Sequence, residues 1–209
     1  MMHALSAAGD TALLAPVSLA LLIYLAALRR WEEARAFAVS LALGLAATLA
    51  AKLLFKACGG TISAFDISSP SGHASFSAVV YGSLAAMVAA RRPAWLALTL
   101  ACAAALLVAG IGVSRAALDV HSWPEVVLGW LIGAAAVTVF VALRRRSDRP
   151  ALSPVPMAIG LAAAIFIVDG RHISAEHQIG RIARKLSASL DICTASHVSA
   201  ALPRGDARR

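Results

Sequence analysis

The stretch SRAALDVHSWPE, residues 114–125, places an arginine, two acids and a histidine between two runs, 93–114 and 126–143, that contain no Asp, Glu, Lys or Arg. Each run has roughly the ~17–25 residues that a helix rising 1.5 Å per residue needs to cross the hydrocarbon of a bilayer. The stretch therefore reads as a connection between two membrane spans, with its polar residues gathered at one membrane face.

Four further runs free of Asp, Glu, Lys and Arg lie outside this pair: 11–28, 36–51, which is slightly short, 74–90 and 150–168. With 60% hydrophobic and 14% charged residues and a mean hydropathy of +0.78, the chain has more apolar surface than a soluble domain of this size can hide. The expected fold is all-α: a polytopic membrane helix bundle of about six transmembrane helices over residues 1–170. The connecting segments are too short to carry the polar surface of a soluble bundle. Residues 1–10 have no positive n-region and 25–30 have no small-x-small cleavage pattern, so the first span is expected to be an anchor rather than a cleaved signal.

Arginines mark alternate connections: Arg29, Arg30 and Arg35, then Arg91 and Arg92, then Arg144, Arg145, Arg146 and Arg149. The positive-inside rule sends these to the cytoplasm. The intervening connections, 52–73 and 114–125, then share the opposite face. Six crossings also carry the basic tail, 171–209, to that outer face, a weaker requirement for a tail than for a short loop. Within the tail, Ile179, Ile182, Ala183, Leu186 and Leu190 recur at helical spacing and predict a short helix in the head-group layer, with a disordered end beyond Ser196. The net charge of +8 is accounted for by topology and anionic lipid, and no aromatic-rich basic face points to nucleic acid. Cys58, Cys102 and Cys193 fit neither a zinc site nor a disulfide framework. Cys102, in mid-span, reads as a packing residue, and Gly129 and Gly133 as a small-residue seam for close helix contact.

Both outer connections hold residues suited to phosphate chemistry. In one, Pro70-Ser71-Gly72-His73 opens a span, where unpaired backbone amides and the helix dipole favour an anion. The bland alternative is an ordinary cap, with Ser71 satisfying the first turn. In the other, Arg115 has the fork suited to phosphate oxygens, and His121 can act as nucleophile or proton carrier near neutral pH. Glu125 follows His121 by four residues, so on a helical turn its carboxylate reaches the imidazole. Ser122-x-x-Glu125 equally matches a capping box, with Pro124 tolerated in the first turn. Asp119 is not at helical spacing from His121 and reads as a loop residue. No carboxylate cluster for magnesium and no His/Cys spacing for zinc is present, so no metal or other cofactor is expected.

These residues resemble the signatures of the type-2 phosphatidic acid phosphatase (PAP2) superfamily: K-x6-R-P, P-S-G-H and S-R-x5-H-x3-D. The second stands complete at 70–73. The third is present as Ser114-Arg115 and His121, with Glu125 where the family usually has Asp. The first is degraded: aligned from Lys52 it meets Gly59 and Gly60 in place of Arg-Pro, and aligned from Lys56 it meets Ser63 and Ala64. The signatures also follow the second apolar run, not the third as in many bacterial relatives.

The resemblance implies a PAP2-like core and a division of roles. His121 would attack phosphorus and carry it as a phosphohistidine, with Glu125 orienting the ring. His73 would protonate the leaving group and later activate water. Arg115, Lys52 or Lys56, the amides of Ser71 and Gly72, and Ser114 would hold the phosphoryl oxygens. The expected function is a metal-independent lipid-phosphate phosphatase of a bacterial inner membrane, its site facing the periplasm and its substrate a phosphomonoester or diphosphate lipid such as undecaprenyl diphosphate, phosphatidylglycerophosphate or phosphatidate. A lipid phosphotransferase and a weakened lipid-phosphate-binding pseudoenzyme remain as alternatives. The absence of polar residues along the spans argues against a transporter or channel.

Overall fold

The computed structural model describes residues 2–57, 69–144 and 152–153, excluding the side chains of residues 56 and 57. Six helices occupy this region, with no strand among the described residues: α1 (Met2–Ala8), α2 (Thr11–Ala27), α3 (Trp31–Ala57), α4 (Gly72–Ala89), α5 (Ala94–Ala117) and α6 (Trp123–Arg144). Five spans are long and apolar enough to cross a membrane, α1 and α2 counting together as one. The chain is thus an all-helical membrane protein. The expected span at 150–168 and the tail at 171–209 fall outside the described residues.

The observed helices run past the charges that were expected to bound them. α3 extends beyond 36–51 to take in Glu32, Glu33 and Arg35 at one end and Lys52 and Lys56 at the other. Charge marks where a helix leaves the hydrocarbon, and backbone hydrogen bonding does not stop there. Arg35, Lys52 and Lys56 are therefore helical residues, not loop residues. Likewise α5 continues through Ser114 and Arg115 to Ala117, which shortens the outer connection to residues 118–122. Three helices end through a non-glycine residue at positive φ: Arg29 (54°), Arg91 (55°) and Asp119 (52°). This is the left-handed position that closes a helix C-terminus.

α4 is the most buried of the spans, and it packs against α2, α3, α5 and α6. Its seam with α6 is tight, as the glycine spacing predicts: a methyl group on Gly133 would lie 2.4 Å from Ala78 Cβ, and one on Gly129 would lie 2.5 Å from the Ser71 carbonyl oxygen. Hydroxyls stitch the interior, Thr48 to Ser75 (2.7 Å) and Ser40 to the Ala136 carbonyl (2.6 Å). Leu14, Phe76, Val80, Tyr81 and Ile111 form the core beneath the candidate site. Phe37 and Phe140, edge to face at 6.4 Å, centre a second cluster toward the other end.

At that other end Glu33 is fully buried. It accepts from Arg30 (2.6 Å) and Arg144 (3.4 Å), and Arg144 also donates to the Ala86 carbonyl (3.3 Å). Arg30 lies in the α2–α3 connection, as expected, but is buried against Glu33, and Arg144 ties α6 to α3 and α4. The outward faces carry Leu19, Ile23, Leu43, Leu98, Leu106 and Leu131, all exposed, as a lipid-facing surface requires. Cys102 is exposed there too, so it does not pack in the interior as expected. Cys58 and Cys193 lie outside the described residues.

Candidate active site

The site is assembled at the end of the bundle opposite Glu33, where α3 finishes, α4 begins and α5 turns into α6. The α5–α6 turn explains the spacing between Arg115 and His121. With Asp119 in the left-handed conformation, the amides of Val120 and His121 both donate to the Arg115 carbonyl, at 3.1 and 3.3 Å. That closes the helix and returns His121 beside the arginine one turn earlier.

Glu125, 3% exposed, organises the centre. Oε2 accepts from His121 Nδ1 (2.7 Å) and from the Ser122 amide (3.2 Å), and Oε1 accepts from the Ser69 amide (2.7 Å). The bond to Ser122 is the backbone half of a capping box. Capping and histidine orientation are thus done by one carboxylate, and the third bond reaches across to the segment before α4. Its backbone carbonyl also accepts from the Ser71 amide (3.0 Å). These two contacts register the two outer connections against each other.

An ionised carboxylate only accepts, so His121 presents N–H at Nδ1 and, when neutral, a lone pair at Nε2. Burial pushes the His121 pKa below its usual 6.5; Lys52 and Arg115 push the same way, and the bond to Glu125 opposes them without prevailing. The uncharged ring, with its lone pair at Nε2, is thus favoured near neutral pH.

Arg115, Lys52, His121 and Asp10 are the groups whose charge acts on His73, and Lys52 and Arg115 also act on His121. The two imidazoles thus lie within electrostatic reach of each other and of two cations. Lys52 is buried, at 2% exposure, and its Cε would lie 3.6 Å from a methyl group on Gly72. It is brought to the start of α4 by the last turns of α3. Lys56 follows one turn later on α3, with its side chain outside the described residues, as are Gly59, Gly60, Ser63 and Ala64.

Two assignments need revision. The Ser71 amide, expected to hold a phosphoryl oxygen, is already given to the Glu125 carbonyl, and the Ser71 side chain caps α4 by accepting from the Ala74 amide (3.5 Å). Ser114 is fully buried and donates its hydroxyl to the Ile111 carbonyl (2.6 Å), which commits its one hydrogen to its own helix. Gly72 opens α4, where first-turn amides have no acceptor within the helix.

The sequence did not indicate the contribution of the N-terminal segment. Arg115 Nη1 donates to Ser6 Oγ (2.8 Å), and Asp10 Oδ2 stands 4.0 Å from His73 Nε2. Asp directly before an apolar run is a recognisable N-cap signal, and Asp10 does cap α2, accepting from the Ala12 amide at 2.9 Å. Nothing in the chain's pattern links that cap to His73. Among the described residues, no three His, Cys, Asp or Glu side chains gather as a metal cluster.

The sequence profile of the PAP2 superfamily matches residues 33–149, more than half of the chain. The chain belongs to the PAP2 superfamily. This PAP2 protein is also 33% identical over 144 residues to an uncharacterized 22.5 kDa protein in the cps region of Klebsiella pneumoniae, the match covering 68% of each chain. No solved structure matches it. PAP2 membership supports a phosphatase-type activity, and the matched segment contains Lys52, His73, Arg115, His121 and Glu125 but not Asp10.

Proposed function

We propose that this membrane protein is a metal-independent lipid-phosphate phosphatase acting through a phosphohistidine. On this reading, the neutral His121 Nε2 attacks phosphorus of a phosphomonoester or diphosphate head group, while Glu125 stabilises the charge that develops on the ring. Arg115 and Lys52 hold the phosphoryl oxygens, and the Gly72 amide adds a donor. His73 supplies the proton to the departing oxygen and then takes one from the water that releases phosphate. The lipid tail stays in the bilayer and only the head group enters the pocket. The arginine-bearing connections support an orientation with the pocket on the periplasmic side of a bacterial inner membrane.

The observation that supports the reading most is the 2.7 Å His121–Glu125 pair in a pocket shared with a second histidine, a lysine and an arginine. The test is phosphate release by detergent-purified protein in EDTA across undecaprenyl diphosphate, phosphatidylglycerophosphate and phosphatidate. Release from at least one, abolished in His121→Ala, is expected. No release from any of them, with lipid phosphate still bound, would leave a binding protein instead.

A further inference from the structure

Each histidine of the pocket faces a carboxylate, and only one of those carboxylates belongs to a family signature. His121 has Glu125. His73 has Asp10, which arrives from the turn between α1 and α2 and lies outside the segment the family profile covers.

The placement of Asp10 is enforced on several sides. Tyr81 donates its hydroxyl to the Ala8 carbonyl (2.8 Å), which ties the end of α1 to α4. Gly9 fits where no side chain would: a methyl group there would lie 2.5 Å from Ile111 Cγ2 and 3.4 Å from His73 Cβ. Ser6 is held by Arg115. Its Oδ1 caps α2, and its Oδ2 stands 4.0 Å from His73 Nε2.

The groups facing His73 come from every element around it: Lys52 from α3, Arg115 from α5, His121 from the α5–α6 turn and Asp10 from the α1–α2 turn. Burial disfavours a proton on His73 most, and among the charges around it Arg115, a protonated His121 and Lys52 do the same. Asp10 alone among them favours one.

We propose that Asp10 is a positioning residue for the acid step, the counter-charge that keeps a proton on His73 Nε2 until the leaving group takes it. This rests on the phosphohistidine reading above. When the His121 Nε2 lone pair forms the N–P bond, the P–O bond to the leaving group breaks and its electron pair stays on the leaving oxygen. That oxygen takes the proton from His73 Nε2. Water then attacks phosphorus, gives a proton back to His73 Nε2 and returns the N–P electron pair to His121. The 4.0 Å separation suits this role, being within ion-pair reach but beyond hydrogen-bond length, so Asp10 favours the charged ring without holding its proton.

The test compares wild type, Asp10→Asn, Asp10→Ser and His121→Ala on an alkyl lipid phosphate and on an aryl phosphate, whose acidic leaving group needs little protonation. Asn and Ser keep the cap of α2 while removing the charge. An opposite charge at this distance is worth at least about one pH unit of proton affinity. Both Asp10 variants are therefore expected to lose on the order of tenfold in kcat on the alkyl substrate at neutral pH, with the alkaline limb of the profile moved to lower pH and aryl turnover nearly unchanged. Equal losses on both substrates at every pH, wild-type kcat throughout, or a gain in kcat/KM from relieved repulsion of phosphate would each overturn the proposal. With His121→Ala inactive, those results leave the phosphohistidine reading standing. Full turnover by His121→Ala would overturn both.

Discussion

Replacing Glu125 by Gln keeps the shape of the side chain and removes its ability to accept from both sides. The carboxylate accepts hydrogen bonds from Ser69 N and His121 Nδ1 at 2.7 Å and from Ser122 N at 3.2 Å. An amide offers one accepting oxygen and one donating nitrogen. With its oxygen toward His121 and Ser122, its NH2 meets the Ser69 N–H, donor against donor. With the amide reversed, the NH2 opposes the Ser122 N–H and forces His121 Nδ1 to accept, which moves the ring proton to Nε2 and removes the nucleophilic lone pair. Either way a buried N–H loses its acceptor, at a cost of about 1–3 kcal/mol of stability, and no negative charge remains to stabilise the phosphorylated ring. The expected fall in kcat is roughly 10²–10⁴-fold, the range for a misoriented or wrongly protonated catalytic histidine. The assay is kcat on the best lipid phosphate, normalised to folded protein measured by thermal melting in detergent. Glu125→Asp, which keeps the charge, is expected to retain more activity than Gln. A Gln variant with a lowered melt and kcat within about threefold of wild type would show that Glu125 is a helix cap and nothing more.

Three further outcomes follow from the same structure. Because burial, Lys52 and Arg115 together depress the His121 pKa below 6.5, the acid limb of kcat/KM should fall below pH 6.5. Lys52→Met removes one depressing charge, so it should move that limb upward while raising KM; an unmoved limb would separate Lys52 from His121. Gly133→Val puts bulk where even a methyl would lie 2.4 Å from Ala78 Cβ, and overpacking of this kind costs about 1–3 kcal/mol, read as a lower melting temperature with α4 and α6 forced apart. Asp119→Gly relieves a positive φ of 52° and should leave the melt unchanged or raise it by up to about 1 kcal/mol equivalent, with turnover preserved because Asp119 contributes only backbone.

Much of the architecture was legible because bilayer thickness imposes a length on every span. The runs 11–28, 74–90, 93–114 and 126–143 fall on α2, α4, α5 and α6 with shifts of a few residues at most. The exception, α3, shows the limit of reading charge as a boundary, since Lys52 is helical and buried. The pairing of His121 with Glu125 was legible because four residues make one helical turn. The contact of Ser69 and Ser71 with Glu125 was not, nor that of Asp10 with His73. These are tertiary contacts between segments far apart in the chain, and local spacing says nothing about them. The approach of Lys52 to Gly72 is a tertiary contact of the same kind, which spacing alone does not give.

The account turns on a covalent bond between phosphorus and His121. Protein mixed with radiolabelled lipid phosphate and quenched in alkali, which preserves phosphohistidine while acid destroys it, should carry label on the peptide containing His121. The label should be absent from His121→Ala and should accumulate in His73→Ala, where water is poorly activated. Steady turnover by His121→Ala, with no label trapped in any variant, would contradict it.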